Sequence, residues 1–134
     1  GGCHKYRPDK IYIGKEIVLL LECDEHQHKW ANSTYSCDEK RISDIYDEEG
    51  IVGKKLVVIR WNPYNYVVPE KYTKIESKDR LKPMVSLMKH VLNKPPTNNI
   101  HIYYMFYDHN NHLLSQNIPH TMVYDQRDFN YTLI

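Results

Sequence analysis

The chain has 134 residues, 41% hydrophobic and 26% charged, a balance that fits one globular domain and excludes an intrinsically disordered chain. Its 18 basic and 17 acidic residues leave a net charge of +1, which excludes a strongly basic coat for nucleic acid but not a local basic stripe. The longest strongly apolar run, Ile17 to Leu21, falls far short of the ~20 residues that cross a bilayer, so no membrane partner is expected.

Three cysteines at irregular spacing make no disulfide framework, and no basic segment followed by an apolar one opens the chain. A reducing, intracellular setting is the expectation. Twelve tyrosines against two phenylalanines read as compositional drift ahead of a wet binding surface.

In chain order, residues 1–10 are a polar lead-in. Ile11-Tyr12-Ile13, a Gly14-Lys15 turn and Glu16 to Cys23 predict a hairpin whose second strand, IVLLLEC, is apolar enough to be buried on both faces. Asn32-Ser33-Thr34 is a loop. Ser36 with Glu39 forms a capping-box pattern, Ile42, Ile45 and Tyr46 give a helical stripe, and Gly50 ends that helix. LVVI at 56–59 predicts a second buried strand, followed by Arg60-Trp61-Asn62-Pro63 and a tyrosine-rich loop over 64–76. A helix is predicted over 77–93, with Leu81, Met84 or Val85, Leu87, Met88, Val91 and Leu92 as its apolar positions and Pro83 in its first turns. Ile100 to Tyr107 reads as a strand, Asp108 to Asn111 as a turn, and the remainder as an irregular tail. The sum is a single α/β domain over 1–134, a small mixed sheet flanked by helices.

The sharpest constellation is Arg7-Pro8-Asp9, then Glu22-x-Asp24-Glu25-x-x-His28. Asp9 begins one hairpin strand, while Glu22 and Asp24 end its partner on a common face. Three converging carboxylates repel unless protonated or bridged by a cation, and hard oxygen ligands suit Mg²⁺ or Mn²⁺. Such an ion polarises a phosphodiester and activates water, with His28 placed to move a proton. The plain alternative is that Asp9 and Asp24 form turns and Glu22 is a strand-end charge. Arg60 and Asn62 read equally as phosphate contacts or as an ion pair holding the acidic residues, and Arg41 carries the same two readings.

Arg7-Pro8-Asp9, LLECDEHQH, CDEKR at 37–41 and VVIRWNP at 57–63 resemble a family of mostly uncharacterised proteins from giant DNA viruses and algae. Arg80, Leu81 and Leu87, with FYD at 106–108, resemble its later motifs, so the likeness spans about residues 3–108 and leaves the tail, 109–134, outside. The E-x-D-x-x-x-H core is also similar to very-short-patch repair endonucleases, within the PD-(D/E)xK nuclease superfamily. The resemblance implies a restriction-endonuclease-like core and metal-dependent endonuclease cleavage of DNA, in the host cytoplasm or nucleus if the source is viral. It implies Asp9, Glu22 and Asp24 as metal ligands, Glu25 contributing through water, His28 in proton transfer, and Arg41 and Arg60 at the phosphate. It also raises a homodimer, although no exposed apolar helix in the sequence demands one.

Four departures stand out. Asp24 falls where the superfamily carries lysine, so the positive charge must come from His28, Lys40 or Arg41, or else Asp24 is itself a ligand. Asp38 and Tyr64 replace the family's glutamate and aspartate. The superfamily core also places a helix and a strand before the PD motif, which eight residues cannot supply.

The competing class is a catalytically inactive module on the same scaffold that binds DNA or a protein. An RNA-directed nuclease is a third reading. Zinc held by His28 and Cys37, with Cys3, Cys23 and His26 as further nominal ligands, is the competing metal, although no C-x-x-C spacing exists and Cys23 is expected to face the core. The Trp61–Tyr72 loop interleaves aromatics with cations as single-strand binders do, but reads first as a cover for the sheet. Tyr103, Tyr104 and Tyr107 read as sheet-face packing. His90, His101, His109, His112 and His120 suggest no common site.

Overall fold

Two glycines set the turns into the first strands. Gly14 donates its N–H to the Ile17 carbonyl, which would lie 3.1 Å from any Cβ placed there. Gly53, at φ +81°, takes the left-handed conformation that admits the chain to the third strand. The computed structural model describes residues 10–24, 35–48, 53–111, 114 and 117–129.

The elements are β1 (Lys10–Ile13), β2 (Ile17–Cys23), α1 (Tyr35–Glu48), β3 (Lys55–Trp61), α2 (Leu81–Asn93), β4 (Ile100–Met105) and β5 (His120–Val123). Short 3₁₀ turns at Ser77–Asp79 and Gln126–Asp128 precede α2 and follow β5. The five strands form one mixed sheet in sequence order, β1 antiparallel to β2 and the remaining pairs parallel. The hairpin register pairs Lys10 with Leu21 and Ile13 with Val18.

Strand alternation divides the core into two layers. Ile17, Leu19, Leu21, Val57, Ile59, Tyr103 and Met105 face α2 through Met84, Leu87 and Val91. Val18, Leu20, Leu56, Val58, Ile102 and Tyr104 face α1 through Ile42, Ile45 and Tyr46. A sheet covered on both faces needs strands without polar alternation, which is why IVLLL and LVVI carry none. Each fully buried aliphatic side chain here contributes roughly 1.5–3 kcal/mol relative to exposure. The result is a small single-domain α/β fold.

Four expectations are corrected. The tail is not irregular: β5 pairs with β4, and Val123 and Phe129 join the α2-side core. That strand is only four residues long and half polar, too short to show a period. The strand expected to reach Tyr107 ends at Met105. The helix expected from 77 begins at Leu81, and its buried row is Pro83, Met84, Leu87 and Val91. Leu81 (68% exposed) and Leu92 (48%) lie roughly 100° around the helix from that row and face solvent. Cys23, expected to point into the core, is exposed because β2 outruns its cover at its last residue. The Arg7-Pro8-Asp9 motif, the loop at 32–34, Gly50 and the side chains of the Ser36–Glu39 capping box lie outside the described residues.

Candidate functional site

Parallel pairing brings β2, β3 and β4 to a common carboxyl edge, where open α/β sheets gather functional groups. Glu22 stands opposite Arg60, and Arg60 opposite Tyr104, so these three form one cross-strand row on the α1-side face. The ladder continues one step past β2, with the Asp24 N–H donating to the Trp61 carbonyl at 2.8 Å. Two residues after Glu22, Asp24 returns to the same face.

Arg60 is 1% exposed, and its Nε and Nη2 both address Glu22 Oε1 at 3.4 Å. That is longer than a tight charge-assisted hydrogen bond, but the low-dielectric setting strengthens the attraction. Of the two readings of Arg60, this contact is the ion pair. Asp24 receives the Tyr107 hydroxyl on Oδ2 at 2.5 Å. Tyr107 is fully buried and packs edge-on against Tyr104, ring centroids 5.0 Å apart. Burial first, and the Asp24 carboxylate second, hold its hydroxyl well above the usual tyrosine pKa, with Arg60 pulling the other way. It is therefore a neutral donor at physiological pH.

A second network braces this edge. Asn62 is buried; its amide donates to the carbonyls of Asn65 and Phe106 at 3.0 Å each, and its Oδ1 accepts from the Tyr64 N–H. Arg80, 5% exposed, donates to the carbonyls of Ile75, Asn62 and Tyr64 at 3.0, 2.6 and 2.7 Å. Its guanidinium lies over the rings of Tyr66 and Phe106, 4.9 and 5.1 Å from their centroids. Asp108 accepts the Val67 N–H at 2.7 Å. The 62–80 connection is thereby tied to the ends of β3 and β4, and its tyrosines divide: Tyr66 is core, Tyr72 bonds Asp128, and Tyr64 faces solvent. In these contacts Asn62 acts as a brace.

Of the expected site residues, Glu22, Asp24 and Arg60 come together. Arg41 sits on α1 one residue before the fully buried Ile42, with Nε and Nη2 enclosed and, among the described residues, without a hydrogen-bond acceptor. Asp9, Glu25 and His28 lie outside the described residues, as do the zinc candidates Cys3 and His26 and the Cys37 side chain. Among the described residues no three His, Cys, Asp or Glu side chains cluster as a metal site. The described histidines have separate partners: His101 bonds Thr121 on the α2-side face, His120 meets Tyr104 on the other, His90 lies against Phe129, and His109 addresses the Val67 carbonyl. No described helix is long and apolar enough to cross a membrane.

Tyr107 and Arg80 are the residues that sequence reasoning assigned too little. Both lie within the motifs quoted above, yet nothing in their spacing says that a strand-end tyrosine reaches an aspartate 83 positions earlier. No family model matches the chain, and no curated protein or solved structure matches it.

Proposed function

We propose that the chain is a metal-dependent endodeoxyribonuclease built on a PD-(D/E)xK-type core, related to the very-short-patch repair branch. The observation that carries this reading is the pair Glu22 and Asp24 on one face at the carboxyl end of β2, with Arg60 and Tyr107 packed against them. Two carboxylates side by side at a sheet edge supply hard oxygen donors, which fit Mg²⁺ or Mn²⁺ and not a soft metal. Glu22 and Asp24, with Asp9 and with Glu25 through water, would hold the ion. Bound there, it would polarise the scissile phosphodiester and lower the pKa of its water.

The chain's own residues divide the remaining work. Arg60 offsets the charge of Glu22 and so eases the crowding of two acids at one edge. Arg41, whose enclosed Nε and Nη2 lack an acceptor among the described residues, is suited to a phosphate oxygen and supplies the positive charge that lysine gives elsewhere in the superfamily. His28 moves the proton. With a net charge of +1, the grip on DNA is local, and it weakens as salt rises.

The alternative is an inactive module that keeps the scaffold and binds DNA or protein. One observation favours it: Arg60 is sealed from solvent, with its guanidinium turned to Glu22. The test is cleavage of supercoiled and single-stranded DNA, and of RNA, with Mg²⁺, Mn²⁺ or EDTA, beside an Asp24→Ala variant matched for circular dichroism. Metal-dependent DNA nicking that disappears in the variant supports the nuclease. No turnover in any condition overturns it in favour of the module, and cleavage of RNA alone reassigns the substrate.

A further inference from the structure

Side chains along β4 alternate in the regular way. Ile102 and Tyr104 face the α1 layer, while Tyr103 and Met105 face the α2 layer. Continued by two residues, that alternation would send Phe106 to the α1 side and Tyr107 to the α2 side. The reverse is found. Phe106 belongs to the α2-side core beside Met105, and Tyr107 to the α1-side core beside Tyr104.

The inversion is made at Phe106, the one described non-glycine residue at positive φ, +64°. A bulky aromatic residue adopts this conformation only against a steric penalty, and keeps it only where its surroundings over-determine it. Those surroundings are explicit. The Phe106 N–H donates to the Val123 carbonyl, and its own carbonyl accepts from the Asn62 amide. Its ring meets Tyr66 edge-on at 5.7 Å and lies under the Arg80 guanidinium. Four contacts, three from the 62–80 connection and one from β5, thus hold one strained residue. What the strain achieves is the delivery of the Tyr107 hydroxyl to Asp24.

We propose that Tyr107 is a positioning residue, aimed by the left-handed Phe106, which fixes the Asp24 carboxylate in the orientation needed to bind a metal ion. The assignment rests on the reading of Asp24 as a ligand in the proposed site. The buried hydroxyl occupies Oδ2 and fixes the rotation of the carboxylate, in the way that groups behind a ligand commonly orient it. It explains how an aspartate standing where lysine is usual is put to use.

The test is Mn²⁺ binding to the whole chain by isothermal titration calorimetry, with tyrosine difference absorption recorded through the same titration. The proteins are wild type, Asp24→Asn and Tyr107→Phe, each also melted without metal. Wild type is expected to bind Mn²⁺ and show a tyrosine difference band as the ion draws on the carboxylate that Tyr107 holds. Asp24→Asn loses the binding. Tyr107→Phe keeps the ring and the packing, weakens binding by about 10-fold or more, and abolishes the band. A merely structural tyrosine would shift the metal-free melt and leave the wild type without a band. Absence of Mn²⁺ binding in wild type, or binding that survives Asp24→Asn, overturns the metal reading together with this proposal. Binding that requires Asp24 but is unchanged in Tyr107→Phe overturns the proposal alone.

Discussion

Replacing Arg80 by methionine tests the brace at the carboxyl edge. Methionine preserves much of the apolar stem between Tyr66 and Phe106 but removes every donor. Three main-chain carbonyls, those of Ile75, Asn62 and Tyr64, lose a charged partner. A hydrogen bond to a charged group is worth roughly 1.5–3 kcal/mol net, so three at face value exceed 4 kcal/mol. Against this stands the cost of burying the guanidinium, visible in the downward pull that burial exerts on its pKa and which methionine avoids. We expect a net loss of about 3 kcal/mol, a large share of the 5–15 kcal/mol typical of a domain. The assay is equilibrium urea denaturation followed by circular dichroism, with unchanged m-values as the check that the denatured state is comparable. Arg80→Lys should recover little, because one compact ammonium cannot span three carbonyls. A loss under about 1 kcal/mol in Arg80→Met would refute the account of Arg80 as the tie between the 62–80 connection and the sheet.

Two further outcomes can be checked on the same material. The hydrogen bond from Tyr72 to Asp128, reinforced by burial and by the carboxylate's charge, lifts the Tyr72 pKa to about 12. Unfolded tyrosine ionises near 10, so the folded state holds this proton more tightly; its contribution is complete below pH ~10 and is lost as pH rises through about 12. Urea midpoints should fall across that window, and less so in Tyr72→Phe. On α2, Leu87→Ala should cost about 3 kcal/mol because Leu87 is fully buried, whereas Leu92→Ser should stay within about 0.5 kcal/mol. Equal losses would mean that α2 presents a different face to the sheet.

Where a strand is buried on both faces, its sequence is close to sufficient. IVLLLEC and LVVI announced β2 and β3, and Ile42, Ile45 and Tyr46 announced the inner face of α1, because burial there is continuous or strictly periodic. β5 was hidden because HTMV is too short and too mixed, and because its stability comes from β4, a partner that no local pattern names. On α2, apolar residues occupy more than one face, so spacing alone could not say that Leu87 is inside and Leu81 outside. At the site, Glu22 and Asp24 could be placed on one face by counting in twos. Tyr107 could not, since that same counting assigns it to the opposite side, and only the conformation of Phe106 reverses it.

The two helices cover opposite faces of the sheet, yet β2, β3 and β4 succeed one another in the same lateral direction. A crossover stepping the same way over the front and then over the back of a sheet must change hand. One of the two connections is therefore left-handed, an arrangement found in about 2% of such crossovers. The fold cannot be assembled by repeating a single winding motion, and the change of hand falls at β3, the strand both connections share. Val57 and Val58, neighbours in that strand, serve different layers. Unzipping β3 would open both layers at once, so the cooperativity of the whole domain passes through seven residues.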